Sequence, residues 1–238
     1  MIQVEELLYD IDLRLNKVAT SAHQHINLED KLISLNDAQL ILIKQKVAGL
    51  SSRPGLDGSK KRYDDIENLV TTHCRLPVSF DTDSVLYSWS GSLESLPAKY
   101  MFFVDAYFVA TKGSCKDRIL HGYRIKHADL QVVMNNSNTC PSFEYQEMPL
   151  TITADRLYGY TDGSYTISDA YISFVRYPVK IDMEGYIGFD GAPSITANCE
   201  LNNFLKDELV DIAVQLLAMS TENVPATQFA DVRLSQKL

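Results

Sequence analysis

The chain reads as an α+β protein. A helical bundle is built from an N-terminal helical hairpin and a C-terminal helix, and an antiparallel β-sandwich or small barrel is inserted between them. Three observations predict this. Apolar residues recur at helical spacing near both ends of the chain. The middle is rich in Val, Ile, Tyr and Phe, with stretches of period-two alternation. A Gly-rich break then separates that middle from the last helical pattern. Helices at both ends with sheet between them predict that the termini pack together and hold out a β domain. The expected boundaries are 1–74 and 199–222 for the helical bundle, 75–198 for the β domain, and 223–238 for an extended C-terminal tail.

In the first helix Val4, Leu7, Leu8, Ile11, Leu15 and Val18 share one face, with acidic residues at its start and Lys17 near its end. A short polar segment, Ala19 to Ile26, follows. Asn27 then stands as an N-cap before a second helix from about Leu28 to Val47, with Glu29 and Asp30 in its first turn. That helix is apolar around much of its circumference, through Ile33, Leu40, Ile41 and Ile43, so it is expected to be wedged between other elements. Gly49 ends it, and the two helices make an αα-hairpin. Ser51 to Arg62 is a loop of turn formers carrying the basic cluster Lys60, Lys61 and Arg62, and Tyr63 to His73 is expected to form a short helix.

From Arg75 to Ile187 the texture is β. The expected strands are Val78–Phe80, Val85–Trp89, Tyr100–Ala110, Leu130–Met134, Leu150–Thr153, Leu157–Tyr160 and Tyr165–Tyr177. Asp162-Gly-Ser164 carries a hairpin-turn signal between the last two. After Gly185, Gly188, Gly191 and Pro193 the closing helix, about Asn203 to Met219, is expected to bury Phe204, Leu205, Leu209, Ile212, Ala213, Leu216 and Leu217.

Composition narrows the function. A formal charge of −9 with pI near 5.0 argues against a general nucleic-acid-binding surface, although an acidic wall suits a conduit that DNA crosses without sticking. Cys74, Cys115, Cys140 and Cys199 are scattered without a C-x-x-C pair, which argues against structural zinc and for reduced thiols made in a reducing cytoplasm. The acidic N-terminus lacks the apolar core of a secretory signal, and no run approaches the ~20 apolar residues of a spanning helix, so neither export nor a membrane is expected.

Motifs for chemistry are sparse. The sequence holds no phosphate-cradling glycine loop, no H-E-x-x-H and no G-x-S-x-G. His23 and His25 lie two apart in a polar loop and read as surface residues. Cys115 lies beside lysines and six residues before His121, so a thiolate pair is conceivable, but an ordinary thiol in a turn is the simpler account. Asp155, Asp162 and Asp169 recur every seven residues, as paired carboxylates of a hydrolase would, yet turn and strand-end roles explain them better. Tyr158, Tyr160, Tyr165 and Tyr171 offer rings for sugar stacking, for a protein interface or for sheet packing. The reading is therefore of a non-enzyme with no metal and no cofactor.

Several stretches carry a resemblance: Tyr9-Asp-Ile-Asp-Leu-Arg-Leu-Asn-Lys17, Leu35-Asn-Asp-Ala-Gln-Leu40, Leu96-Pro-Ala-Lys-Tyr-Met-Phe102, Ile172-Ser-Phe-Val-Arg-Tyr-Pro178, and Cys199-Glu-Leu with Glu208-Leu-Val-Asp-Ile-Ala-Val214. Together they resemble the head-to-tail connector proteins of short-tailed phages, the ring or adaptor proteins of the neck, most of all those of crAss-like phages. The resemblance spans nearly the whole chain and rests on no single motif. It implies a homo-oligomeric ring, expected to be a dodecamer, that docks below the portal protein and joins it to other neck or tail rings. It also implies a virion location and a DNA exit channel without sequence-specific binding. Candidate partner contacts are Arg53, Lys60, Lys61, Arg62, Gln228, Phe229, Arg233 and Lys237, with the basic cluster expected to face a partner rather than DNA. Two other readings stand beside it: a carbohydrate-binding β-sandwich module of a virion or cell surface, and a hydrolase.

Overall fold

The computed structural model describes residues 1–18, 26–48, 65–77, 79–81, 88–187 and 191–220. The chain divides into two compact units, Met1–Leu69 with Pro178–Leu238, and Val70–Tyr177. The architecture is α+β.

In the first unit, α1 (Val4–Val18) and α2 (Leu28–Ala48) both pack against the C-terminal helix, Lys206–Ser220. Each helix buries the stripe its sequence offers. α1 contributes Val4, Leu7, Leu8, Ile11 and Leu15, and α2 contributes Leu32, Leu35, Ala38, Leu42 and Ile43. The C-terminal helix buries Leu209, Val210, Ile212, Ala213, Val214, Leu217 and Ala218. Phe204, expected in this core, is 63% exposed; a 3₁₀ turn over Asn203–Leu205 precedes the helix and puts Leu205 inward instead.

Charge fixes how these helices meet. Buried Arg14 of α1 pairs with Asp207 and Asp211, and also donates to the Asp207 carbonyl at 3.0 Å. Lys46 of α2 reaches Glu208 at 2.9 Å and Asp65 at 3.1 Å, while Lys206 pairs with Glu6 and Asp10. The two raised lysine pKa values have one cause. Burial works to lower them, but the hydrogen bonds and charges of these carboxylates outweigh it.

The segment 178–198, expected in the β domain, belongs with the helices, because long-range hydrogen bonds tie it there. The Asn36 amide donates to the Ile181 carbonyl at 2.9 Å and accepts from the Ile181 N–H at 2.8 Å. Ile2 and Cys199 exchange backbone bonds, and the Val4 N–H, free at the start of α1, donates to the Asn198 side chain at 3.1 Å. Asp182 pairs with Ala197 and Ile187 with Pro193, so the segment folds back on itself as an irregular arm.

The second unit is one eight-stranded sheet of β1 (Val70–Leu76), β2 (Ser79–Asp81), β3 (Ser88–Ser92), β4 (Tyr100–Lys112), β5 (Cys115–Arg124), β6 (Glu147–Thr153), β7 (Arg156–Tyr160) and β8 (Thr166–Arg176). Its order is β1-β8-β4-β5-β6-β7-β3-β2. The sheet curls into a half-barrel. Trp89 of β3 meets Phe108 of β4 edge-on, ring centroids 5.3 Å apart, although three strands separate them in the order. Inside the curl lie Leu76, Leu120, Met148, Leu150, Leu157, Ile167, Ile172 and Phe174. Gly122 and Gly159 leave the space this filling needs. A Cβ on Gly122 would stand 2.8 Å from the Phe108 ring, and one on Gly159 would stand 2.1 Å from the Met148 methyl.

Four expectations are corrected. The domain was expected to be wholly antiparallel, but β5 and β6 pair in parallel, because the chain leaves β5 and crosses before entering β6. Leu130–Met134, expected as a strand, forms that crossover as α3 (Leu130–Asn135), which buries only Leu130. The short helix expected over Tyr63–His73 does not reach its far end: residues 63–64 lie outside the described residues, Asp65 is helical, Glu67–Leu69 make one 3₁₀ turn and β1 begins at Val70. Asp162-Gly-Ser164 does turn the chain, with Gly163 at φ 78° and the Ser164 N–H on the Asp162 carboxylate at 2.8 Å, but β7 and β8 are not partners. The turn delivers the chain to the far side of β4.

Candidate functional site

The expected contact residues Arg53, Lys60, Lys61, Arg62, Gln228, Phe229, Arg233 and Lys237 all lie outside the described residues, as do His23 and His25. The described surface offers other features, and each unit carries its own.

On the outer face of the sheet, register places His121 of β5, Tyr107 of β4 and Tyr171 of β8 side by side. The Tyr107 and Tyr171 rings stack with centroids 4.8 Å apart and planes 13° apart, and His73 meets Tyr107 edge-on at 5.6 Å. His73 reaches this place because it sits at a bulge, with φ 57° and its N–H donating to Ser173 Oγ. The next row holds Asp169 and Ile119 beside Val109, with Arg75 paired to Asp169. Burial first, and then Tyr171, hold the Tyr107 phenol above its ordinary pKa. Of the four tyrosines marked in the sequence, Tyr160 and Tyr165 are buried and Tyr171 is covered on one ring face by Tyr107. That set does not form a row of open ring faces of the kind a sugar stacks on.

A second feature opens where β5 parts from β6. The Ile125 N–H still donates to the Leu150 carbonyl at 2.9 Å, after which the chain turns away through a 3₁₀ turn at His127–Asp129. The divergence leaves a groove of about 470 Å³ lined by Arg124, Ile125, Lys126, His127, Thr151 and Ile152. Arg124, Lys126 and His127 are exposed, and neither Arg124 nor Lys126 makes an ion pair among the described residues. Buried Thr151 shares a 3.0 Å hydrogen bond with the Tyr160 hydroxyl beneath them. Nothing in the sequence reading marked this groove, although three basic residues within four positions, Arg124-Ile-Lys-His127, were there to be noticed.

The helical unit is acidic. It holds 20 Asp and Glu against 13 Lys and Arg, whereas the β unit holds 11 against 9, so most of the chain's negative charge sits with the helices. It also exposes large apolar side chains at Tyr9, Ile33, Ile187, Ile195 and Phe204, each more than half exposed.

The catalytic candidates fall apart in space. Cys115 and His121 are six residues apart along one extended strand, about 20 Å at ordinary rise. Asp169 is engaged by Arg75 and Asp162 by its turn, and Asp155 sits exposed at the β6–β7 turn. All four cysteines are free, and no group of three His, Cys, Asp or Glu that could hold a metal occurs among the described residues. No helix among them is long and apolar enough to cross a membrane. No protein-family model and no curated protein matches the chain.

Proposed function

We propose that the chain is a virion structural protein: one subunit of a ring in the neck of a short-tailed phage. In this reading the ring docks below the portal, joins it to tail components and lines the DNA exit channel with about a dozen copies. In this reading the three helices act as a bundle anchored in the ring, and the curled sheet acts as a second, barrel-like domain.

One observation carries the reading. The two units expose unlike surfaces, an acidic helical one with protruding apolar side chains and a β one with a cationic groove and an aromatic row. A head-to-tail ring needs unlike faces on each subunit, because the patch that gives differs from the patch that receives. Scattered large apolar side chains on both units are the raw material of such contacts. The acidic balance supports a channel role, since a negative wall does not grip a phosphate backbone. Ser51–Arg62 and Thr221–Leu238, including the expected contact residues, are assigned in this reading to arms that engage the portal or a neighbouring ring.

The test is assembly with the portal. The purified chain is mixed with portal rings and imaged by negative-stain electron microscopy, with a variant ending at Ser220 alongside. A ring of density on the clip end of the portal, lost in the shortened variant while that variant keeps its circular dichroism, supports the reading. Portal rings that stay bare with the full chain refute it.

A further inference from the structure

We propose that the cationic groove of the β unit receives the acidic outer face of α2 from a second copy of the chain. This rests on the ring reading and supplies it with one head-to-tail contact. The groove presents Arg124, Lys126 and His127 around the half-buried side chains of Ile125 and Ile152. α2 presents the complement. Glu29, Asp30 and Asp37 are exposed and make no ion pair among the described residues, and Ile33 stands between them, 58% exposed. Positions 29, 30, 33 and 37 share one face of the helix by their spacing of three, four and seven. The face therefore reads carboxylates, isoleucine, carboxylate, one turn apart.

The dimensions agree. Asp30 and Asp37 are about 10 Å apart along the axis at 1.5 Å per residue. Arg124 to His127 covers about 10 Å at strand spacing. An apolar contact of Ile33 on Ile125 and Ile152, flanked by carboxylates on the Arg124 fork and the Lys126 ammonium, is the arrangement of an interface with an apolar centre and a charged rim. The acidic residues of the helical unit that serve its own packing, Glu6, Asp10, Asp65, Glu208 and Asp211, are already held by Lys206, Lys46 and Arg14, whereas Glu29, Asp30 and Asp37 on the α2 face are in no ion pair among the described residues. Asp129, two residues beyond His127, is the one carboxylate in the groove's own crossover turn. It leaves three basic side chains against one acid. Nucleic-acid phosphate is the weaker occupant, because a chain of net charge −9 repels a polyanion at long range and three side chains give little counterion release.

Charge reversal tests the pairing. R124E/K126E on one side and E29K/D30K/D37K on the other alter only exposed side chains, and circular dichroism melts check that each variant folds. Self-association of the full chain, with portal present as a seed, is followed by sedimentation velocity at low salt. Each variant alone should weaken association at least about tenfold, and the five-fold variant carrying both sets should return to within about threefold of the wild type. Undiminished association in either variant, or no recovery in the combined one, overturns the pairing while leaving the ring reading standing. A wild-type chain that does not associate even with portal overturns both. A second measurement needs no variant: zero-length carbodiimide coupling in an equal mixture of ¹⁴N and ¹⁵N chains should join Lys126 to Glu29, Asp30 or Asp37 in mixed-isotope pairs. Lys126 coupled only within one chain contradicts the proposal. So does duplex DNA binding that R124E/K126E abolishes while self-association is unchanged.

Discussion

Replacing Arg14 with Met removes the cation that joins α1 to the C-terminal helix. The guanidinium serves two carboxylates of unlike burial: the Asp207 side chain is 65% exposed, whereas that of Asp211 is 2% exposed. Water screens the first pair, which contributes at most about 1 kcal/mol. The second decides the outcome, because a buried carboxylate deprived of its cation costs about 3–5 kcal/mol. Met fills much of the volume of the Arg stem, so no cavity adds to this. With a urea slope of about 2 kcal/mol per molar for a unit of this size, the midpoint followed by far-UV circular dichroism should fall by about 2 M. Removing the stranded charge should recover most of the loss. R14M/D211N is therefore expected well above R14M alone, as buried pairs replaced on both sides commonly are. A midpoint shift of R14M below about 0.5 M, or a double variant less stable than the single one, would refute the assignment of Asp211 as the buried partner that matters.

Three further outcomes are expected. Phe108→Ala empties the centre of the curled sheet and should cost about 3–5 kcal/mol, with the emission of Trp89, the single tryptophan and fully buried, shifting to the red at lower urea. Alkaline pH should destabilise both units. The folded-state pKa of Lys46 is raised above its ordinary 10.5 and that of Tyr123 is raised to about 12 by burial first, then Glu147 and Cys140. For both groups folding favours the protonated form, so their contribution is complete below the unfolded pKa and is lost as pH rises through the folded one; K46M should flatten the helical part of that profile above about pH 10.5. In thiol labelling read by mass spectrometry, exposed Cys115 should react first and buried Cys199, whose pKa burial pushes up to about 11, only on unfolding. Labelling of Cys199 at the rate of Cys115 would contradict the packing of the N-terminal strand bridge.

What the sequence revealed depended on how local the cause was. α1 was legible because Val4, Leu7, Leu8, Ile11 and Leu15 fall on one face and that face is what is buried. β5 was not, because it opens on the polar run Lys116, Asp117 and half-buried Arg118, and Ile119 is exposed while Leu120 is buried, so no alternation of apolar and polar marks it. Leu130-Gln-Val-Val-Met134 carries strand propensity yet forms a helix, since its neighbours require a crossover between parallel strands there and propensity is the weaker influence. The turn at Asp162-Gly-Ser164 was readable from three residues, but the partner of β8 was not, because pairing is settled by strands more than fifty residues away. The same holds for 178–198, anchored through Asn36 at a separation of 145 residues. The groove at Arg124–His127 escaped notice for a related reason: its charges are local, but the concavity exists only because β5 leaves β6.

The central claim is membership of a virion ring, and stoichiometry reads it most directly. Particles are purified by density gradient from the culture that produces the chain, and the chain is quantified by isotope-dilution mass spectrometry against portal and major capsid proteins. The account predicts a fixed copy number equal to that of the portal, or a small integer multiple of it, unchanged between preparations. Absence from particles, or an amount that varies freely against the portal, contradicts it.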